Sequence, residues 1–289
     1  VTRTRDPRVL RVIDAQTISE AIENMAVEAC CKLSPDTLDA LRAARDTERS
    51  PTGKEVLDAL LENAAIAERE MAPICQDTGV AVVFVEIGDE VRVGGGSLVD
   101  AVNEGVRRGY TRGNLRKSIV GDPFGRVNTG DNTPAVLHVE VAEGDKLKID
   151  FLAKGGGCEN ASFLGMLKPA DGKQGTIEFV VGGVMNNAAN SCPPVIVGVG
   201  IGGTMEKAAL IAKRSLLRPL GQPNPDPNIA QLESVLLDGI NGSGIGPAGF
   251  GGTTTALAVH VETHPCHIAS LPVAVNLECH AHRHRQITL

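Results

Sequence analysis

Apolar residues recur at helical spacing early in the chain. Val56, Leu57, Leu60, Leu61 and Ala64 form a stripe that an amphipathic helix turns toward a core. Thr52 and Glu55 make a capping-box pattern ahead of it, Thr17 and Glu20 do the same before residues 21–32, and Ser34-Pro35 opens a further helix through Leu38 and Leu41. After Pro73 the period changes. Residues 80–87 form a β-rich apolar run, and residues 136–141 and 147–152 flank a Glu-Gly-Asp turn, which predicts a hairpin. Further strands are predicted at 177–181, 195–199, 256–262 and 273–277, with helices at 204–217 and 229–237. The stretch 218–228 holds Pro219, Pro223, Pro225 and Pro227 and reads as a loop. The pattern predicts an α/β protein, with an N-terminal helical segment followed by mixed sheet and helices, arranged in two lobes. It divides the chain into a mainly helical part, 1–72, and a mixed α/β part, 73–289.

Composition narrows the function. At 289 residues and 42% hydrophobic, the chain can bury a substantial core. A net charge of −7 and only 2% aromatics argue against nucleic acid as a partner, since phosphate neutralisation and base stacking need the opposite balance. No apolar run approaches the roughly 18 residues of a membrane span. Arg3, Arg5, Arg8 and Arg11 are followed by no apolar stretch of the kind a secretory leader needs. Seven cysteines, an odd number spread over the whole length, fit a reducing, cytoplasmic compartment better than a disulfide scaffold.

Several motifs carry candidate chemistry. Gly198-Val-Gly200-Ile-Gly-Gly203 matches a dinucleotide fingerprint between a strand and a helix, but no acidic strand end follows some 20 residues on. A nicotinamide-dependent oxidoreductase is therefore the alternative from a different class. The same loop could hold an anion at a helix start, or it could simply be a tight turn. Lys154-Gly-Gly-Gly-Cys-Glu-Asn160 permits close backbone approach to an anion and lacks the ending of a P-loop. His280-Ala-His-Arg-His284 offers zinc-type ligands, yet the alternation is that of an exposed strand. Cys75, Cys192 and Cys279 each sit at an element boundary, and spacing alone leaves open whether they pack or bind.

The wording of four segments is more specific. Residues 73–79 (Pro-Ile-Cys-Gln-Asp-Thr-Gly), 154–160, 190–203 (Asn-Ser-Cys-Pro-Pro-Val-Ile-Val-Gly-Val-Gly-Ile-Gly-Gly) and 267–281 (His-Ile-Ala-Ser-Leu-Pro-Val-Ala-Val-Asn-Leu-Glu-Cys-His-Ala) closely resemble the α chain of class I, iron–sulfur-dependent fumarases, in order from about residue 10 to 285. The tartrate dehydratase α chain shares part of the pattern and is the nearer alternative. The resemblance implies a [4Fe–4S] cluster held by Cys75, Cys192 and Cys279 in a cleft between the lobes. Cys158 is left unassigned, and Cys30, Cys31 and Cys266 are expected only to pack. With three protein ligands, one iron stays open as a Lewis acid for a hydroxyl and a carboxylate oxygen, and oxygen should strip such a cluster.

By the same resemblance Asp77 transfers a proton or contacts substrate, and His267 neighbours it. Gln76 and Arg116 bind carboxylate, and Gly157 offers a backbone amide. The expected reaction is the reversible hydration of fumarate to malate, a step of the tricarboxylic acid cycle, on a dicarboxylate substrate. Single-chain relatives carry a further C-terminal domain. The chain is therefore expected to be an α subunit that needs a β subunit and has little activity alone.

Overall fold

A computed structural model describes residues 10–289. In chain order the elements are β1 (Arg11–Asp14), α1 (Ala15–Cys31), α2 (Pro35–Thr47), α3 (Pro51–Glu70), β2 (Val80–Gly88), β3 (Val91–Gly94) and α4 (Leu98–Arg112). Then come β4 (Val136–Ala142), β5 (Leu147–Lys154), α5 (Gly156–Asn160), β6 (Phe163–Leu167), α6 (Gly172–Asn187) and β7 (Val195–Gly202). The chain ends with α7 (Met205–Ser215), α8 (Pro227–Asn241), β8 (Ala256–His264), β9 (Leu271–Glu278) and β10 (His284–Thr288). The architecture is mixed α/β, with helices preceding the sheets. The chain divides into two compact units built from interleaved segments. One comprises the residues through Lys32, Ala67–Lys154 and Arg283–Leu289; the other comprises Leu33–Ile66 and Gly155–His282.

In the first unit the strands run in the order β10-β5-β2-β4, with β2 antiparallel to β5 and parallel to β4. The largely apolar 80–87 run takes an inner place, with residues 81–85 buried, because an inner strand has both edges paired and both faces covered. Val83, Val85, Ile149 and Phe151 meet Ile18, Ile22, Val102 and Val106 of α1 and α4 in one core. The two helices lie close. A Cβ on Gly105 would come within 2.6 Å of the Ser19 carbonyl oxygen.

In the second unit the order is β6-β9-β7-β8, with β7 antiparallel to β9 and parallel to β8. Val197, Val199, Val259 and Val275 pack against Val180 and Val184 of α6 and Leu232, Leu236 and Ile240 of α8. Ala208 and Ala212 of α7 cover the opposite face, with Ala274.

Beside a two-stranded parallel pair, β1–β3, the two four-stranded sheets repeat one pattern of pairing: an inner strand, a parallel neighbour on one side and an antiparallel neighbour on the other. In both, the start of the central strand pairs with the end of its antiparallel neighbour, Val80 with Lys154 and Ile196 with Glu278. Cys75 precedes the first central strand, Cys192 precedes the second, and Cys279 directly follows β9. Gly157 and Cys158 follow β5 by a few residues.

Several local expectations change. Residues 136–141 and 147–152 are strands but not a hairpin: β2 lies between them, because pairing both edges of an apolar strand buries more than a two-stranded ribbon would. Residues 177–181 belong to α6, where Thr176, Val180 and Val184 recur every fourth residue on the buried side. The cap of α1 is Asp14, whose carboxylate accepts from the Gln16 N–H at 2.8 Å, so Thr17 lies inside the helix. Ser50 accepts from Gly53 N–H at 3.1 Å, and α3 begins at Pro51 rather than after Thr52. Helix α4, capped by Ser97, was not anticipated. Cys266, expected to pack, is exposed. His282 and Arg283, expected on an exposed strand, are buried. No helix of the described residues is long and apolar enough to cross a membrane.

Candidate functional site

In the first unit, Cys75, Gln76 and Asp77 form a tight turn between α3 and β2. The Asp77 N–H donates to Cys75 Sγ at 3.4 Å, and the Asp77 carboxylate accepts from the Gly79 N–H at 3.0 Å. Gly79 has φ +72° and lies so close to Lys154 that a Cβ would meet its carbonyl oxygen at 2.5 Å, so only glycine fits. Gln76 is exposed, and Cys75 and Asp77 are half-buried. The buried Thr78 hydroxyl donates to the Arg116 carbonyl oxygen at 3.0 Å, which ties the exposed Arg116 to the same turn. The structure therefore brings Cys75, Gln76, Asp77 and Arg116 together.

Buried side chains hold this turn from below. The Tyr110 hydroxyl donates to the carbonyls of Thr78 (2.7 Å) and Gly79 (3.1 Å), and the Asn132 side-chain amide donates to Gly79 at 3.2 Å. The Cys30 thiol points at the Thr78 carbonyl from 3.9 Å, and the Arg283 guanidinium donates to the Asp77 carbonyl. Burial pushes the Cys30 thiol up to about 12, and burial raises Tyr110 well above the ordinary phenol value, so both stay protonated as donors. Sequence reasoning missed Tyr110 and Asn132, expected Cys30 only to pack, and read Arg283 only as part of the 280–284 motif. The one available signal was that Tyr110 is the only tyrosine in the chain.

In the second unit, Cys192 is exposed and left-handed (φ 53°), immediately before the cis Pro193-Pro194 bond. The His280 Nδ1–H donates to the Cys192 carbonyl at 3.1 Å and so links that residue to Cys279 next door. The Cys158 thiol donates to the Ser191 carbonyl at 3.5 Å, and the Ser162 hydroxyl donates to the Cys158 carbonyl at 2.8 Å while accepting from the Leu277 N–H at 3.1 Å. A Cβ on Gly157 would meet only the Asn190 carbonyl oxygen, at 3.7 Å, leaving its backbone accessible. Gly157, Cys192 and Cys279 are thereby gathered at one end of the second sheet.

His267 stands elsewhere, on the exposed β8–β9 loop, where its Nδ1 accepts from the Ala269 N–H at 3.1 Å. It lines two cavities of about 580 and 500 Å³, with Cys266 and Ser270. The fingerprint-like glycines have a packing role. A Cβ on Gly198 or Gly200 would meet α7 carbonyl oxygens of Ala212 or Ala208 at 2.1 Å, so these glycines let the helix lie on β7.

Among the described residues no group of three or more His, Cys, Asp or Glu side chains is gathered as a metal site. The donor chemistry nonetheless suits an iron–sulfur group. Three thiols stand at corresponding ends of the two sheets, and Cys192, held by its backbone, keeps its side chain exposed.

Comparison with known proteins adds independent findings. The family model described as "Fumarate hydratase (Fumerase)" matches residues 19–288. A putative L(+)-tartrate dehydratase subunit alpha of Methanocaldococcus jannaschii is 40% identical over 273 residues, covering 92% of this chain and 95% of the relative. The L(+)-tartrate dehydratase subunit alpha of Escherichia coli is 34% identical over 270 residues, covering 92% and 88%. That of Shigella sonnei matches equally.

Proposed function

Because this chain belongs to the fumarate hydratase (fumerase) family of hydro-lyases, we propose that it is the α subunit of an iron–sulfur hydro-lyase that reversibly hydrates fumarate to malate. The observation that carries the reading is the Cys75-Gln76-Asp77 turn, which presents a thiol, an amide and a carboxylate on consecutive residues and is locked by its own backbone. Cys75, Cys192 and Cys279 would hold a [4Fe–4S] cluster. When bound with one iron open, such a cluster supplies a Lewis acid for the departing hydroxyl.

The remaining work falls to the chain's own groups. Dehydration of malate removes a proton from the carbon beside the hydroxyl-bearing one, and that carbon is weakly acidic. A carboxylate fixed in position, Asp77, can accept that proton and return it in the hydration direction; a part for His267 in that proton transfer rests on the family resemblance alone, since its ring lies on the β8–β9 loop. Arg116 and Gln76 are exposed, tied to the same turn, and able to grip a substrate carboxylate, Arg116 through a two-pronged contact. Gly157 offers a backbone N–H to the same ligand. Holding the substrate's carboxylates fixes which carbon faces Asp77, and this positioning lowers the entropic part of the barrier.

The relatives named as alpha subunits support a β subunit that completes the site. They also support a second reading, dehydration of L-tartrate, which carries one more hydroxyl than malate. The test is anaerobic reconstitution of the chain with a β subunit. Iron and acid-labile sulfide would be measured per chain, followed by turnover of fumarate, malate and L-tartrate. Near four of each, lost in Cys75→Ser, Cys192→Ser and Cys279→Ser but kept in Cys158→Ser, is expected, with fumarate the preferred substrate. Preference for tartrate would favour the second reading. No sulfide, or sulfide indifferent to those cysteines, would overturn the cluster assignment.

A further inference from the structure

Asn132 is wholly buried and left-handed, with φ +62°. A side chain in that backbone conformation is uncommon and is held there by what it meets. Its Oδ1 accepts from the Ser118 N–H at 2.7 Å, and its Nδ2 donates to the Gly79 carbonyl at 3.2 Å. One buried amide thus joins two segments that are distant in sequence. Ser118 stands two residues after Arg116, and Gly79 stands two residues after Asp77. Thr78 makes a second bridge between the same segments, because its buried hydroxyl donates to the Arg116 carbonyl at 3.0 Å.

Helix α4 sets where Asn132 stands. Asn103, Arg107 and Tyr110 follow one another at intervals of four and three residues, so they lie on one stripe of the helix. Each holds a different segment. Asn103 Oδ1 accepts from the Ala135 N–H at 2.9 Å, Arg107 Nε donates to the Asp131 carboxylate at 3.0 Å, and Tyr110 donates to Thr78 and Gly79. Asp131 also accepts from the Thr133 N–H at 3.0 Å and the Thr133 hydroxyl at 2.8 Å, which folds the chain tightly around Asn132. The chain on both sides of Asn132, and the turn that its amide reaches, are therefore referred to one helix. Arg116 and Ser118 lie beyond the end of that helix and are tied back to the turn through Thr78 and Asn132.

We infer that Asn132 is a positioning residue which, with Thr78, fixes the offset of Arg116 from Asp77. A substrate carboxylate gripped by Arg116 then presents the proton of the reacting carbon to Asp77. The inference rests on the hydro-lyase reading of those two residues. An amide suits the task because it donates to one segment and accepts from the other, which no apolar side chain can do. Loosening the link leaves the Arg116 guanidinium in place, so binding persists while the reacting carbon drifts from the carboxylate. A misplacement of about 1 Å can cost on the order of a hundredfold in rate.

The test compares Asn132→Gly, which suits the positive φ and removes only the amide, with Thr78→Val and Thr78→Ser, of which only serine keeps the hydroxyl. In the full chain, Asn132→Gly should quicken amide hydrogen exchange in residues 116–119 and 76–80 together. In the enzyme reconstituted with a β subunit, Asn132→Gly and Thr78→Val should lower kcat for malate dehydration by roughly thirtyfold to a hundredfold, with KM changed less than about threefold. Iron and sulfide per chain should be unchanged, and Thr78→Ser should retain the parent rate. The primary isotope effect with malate deuterated at the carbon that loses its proton should rise, because proton removal becomes slower relative to the other steps. Loss of folded protein would lower activity without moving that ratio. Variants that keep kcat, that raise KM alone, or that lose rate at an unchanged isotope effect would overturn the positioning role. So would exchange that quickens in only one of the two segments. An unmodified enzyme that turns over none of fumarate, malate and L-tartrate would overturn the hydro-lyase reading and this inference with it, whereas an active one with indifferent variants overturns the inference alone.

Discussion

The Tyr110 hydroxyl donates to the Thr78 carbonyl at 2.7 Å, and this contact places a helix residue beneath the Cys75–Asp77 turn. Tyr110 is wholly buried, and its ring fills the core between α1, α4 and the first sheet. Tyr110→Phe keeps that ring and removes only the donor. It should lower stability by about 1–3 kcal/mol, the cost of leaving a buried carbonyl short of a partner. If the turn carries catalysis, activity of the reconstituted enzyme should fall more than the loss of folded protein explains. Chemical denaturation and kcat on the same preparation separate the two effects.

Thiol reactivity should follow burial. With Cys30 pushed up to about 12 by burial, a native preparation without bound metal should leave it unmodified by iodoacetamide at pH 8. Cys192 and Cys266, both exposed, should be alkylated first. Mass spectrometry over a time course reads the order. Early labelling of Cys30 would contradict the packing around Thr78.

Acid should loosen the second unit in two stages. Burial, and then the nearby Arg218 charge, lower His260 from its ordinary value to about 4, while its Nδ1–H donates to the Ser215 carbonyl at 3.1 Å. The unfolded chain takes up this proton near pH 6.5 and the folded one does not, so stability is full above pH 6.5 and is lost as pH falls toward 4. Glu233 and Asp36 oppose the shift. His260→Gln should flatten the denaturation midpoint across that window.

Glu48 gives the second stage. Burial disfavours its charge, but N–H donors from Ser50, Thr253 and Arg49, with the Thr253 hydroxyl, outweigh that and hold it near 2. Its contribution is present above about pH 4.5 and fades as pH falls toward 2. Glu48→Gln should cost about 2–3 kcal/mol at pH 7, because one amide cannot accept all of those donors. Thermal melts at pH 7 and pH 4 check both residues.

Two glycine substitutions should behave oppositely. Gly198→Ala would set a methyl 2.1 Å from the Ala212 carbonyl oxygen and force α7 off β7, costing about 3 kcal/mol or more. Gly182 lies within α6 with nothing within 4 Å of its would-be Cβ, and Gly182→Ala should stabilise by about 0.5–1 kcal/mol. Melting temperatures decide between steric and entropic control.

The sequence by itself determined the elements whose signals are local. The stripe from Val56 to Ala64 made α3, the Ser34-Pro35 pair opened α2, and the apolar run at 80–87 became β2. The four motif segments, read as wording, named the family and a set of candidate residues. Periodicity and capping act within a few residues, so they survive without knowledge of the rest of the chain. Residues 177–181 show the limit of this reading: a short β-branched run is ambiguous until a helix partner such as α8 selects one face of it.

The tertiary structure alone decided what lies between and beneath. It set β2 between β4 and β5, where a hairpin was expected, because a largely apolar strand gains most from an inner place. It brought Tyr110, Asn132, Cys30 and Arg283 to three successive carbonyls from four distant parts of the chain. It also gave both four-stranded sheets the same pairing pattern, so that Cys75, Cys192 and Cys279 stand at corresponding ends. These choices depend on burial and hydrogen bonding summed over residues far apart in sequence, and no local pattern encodes such sums.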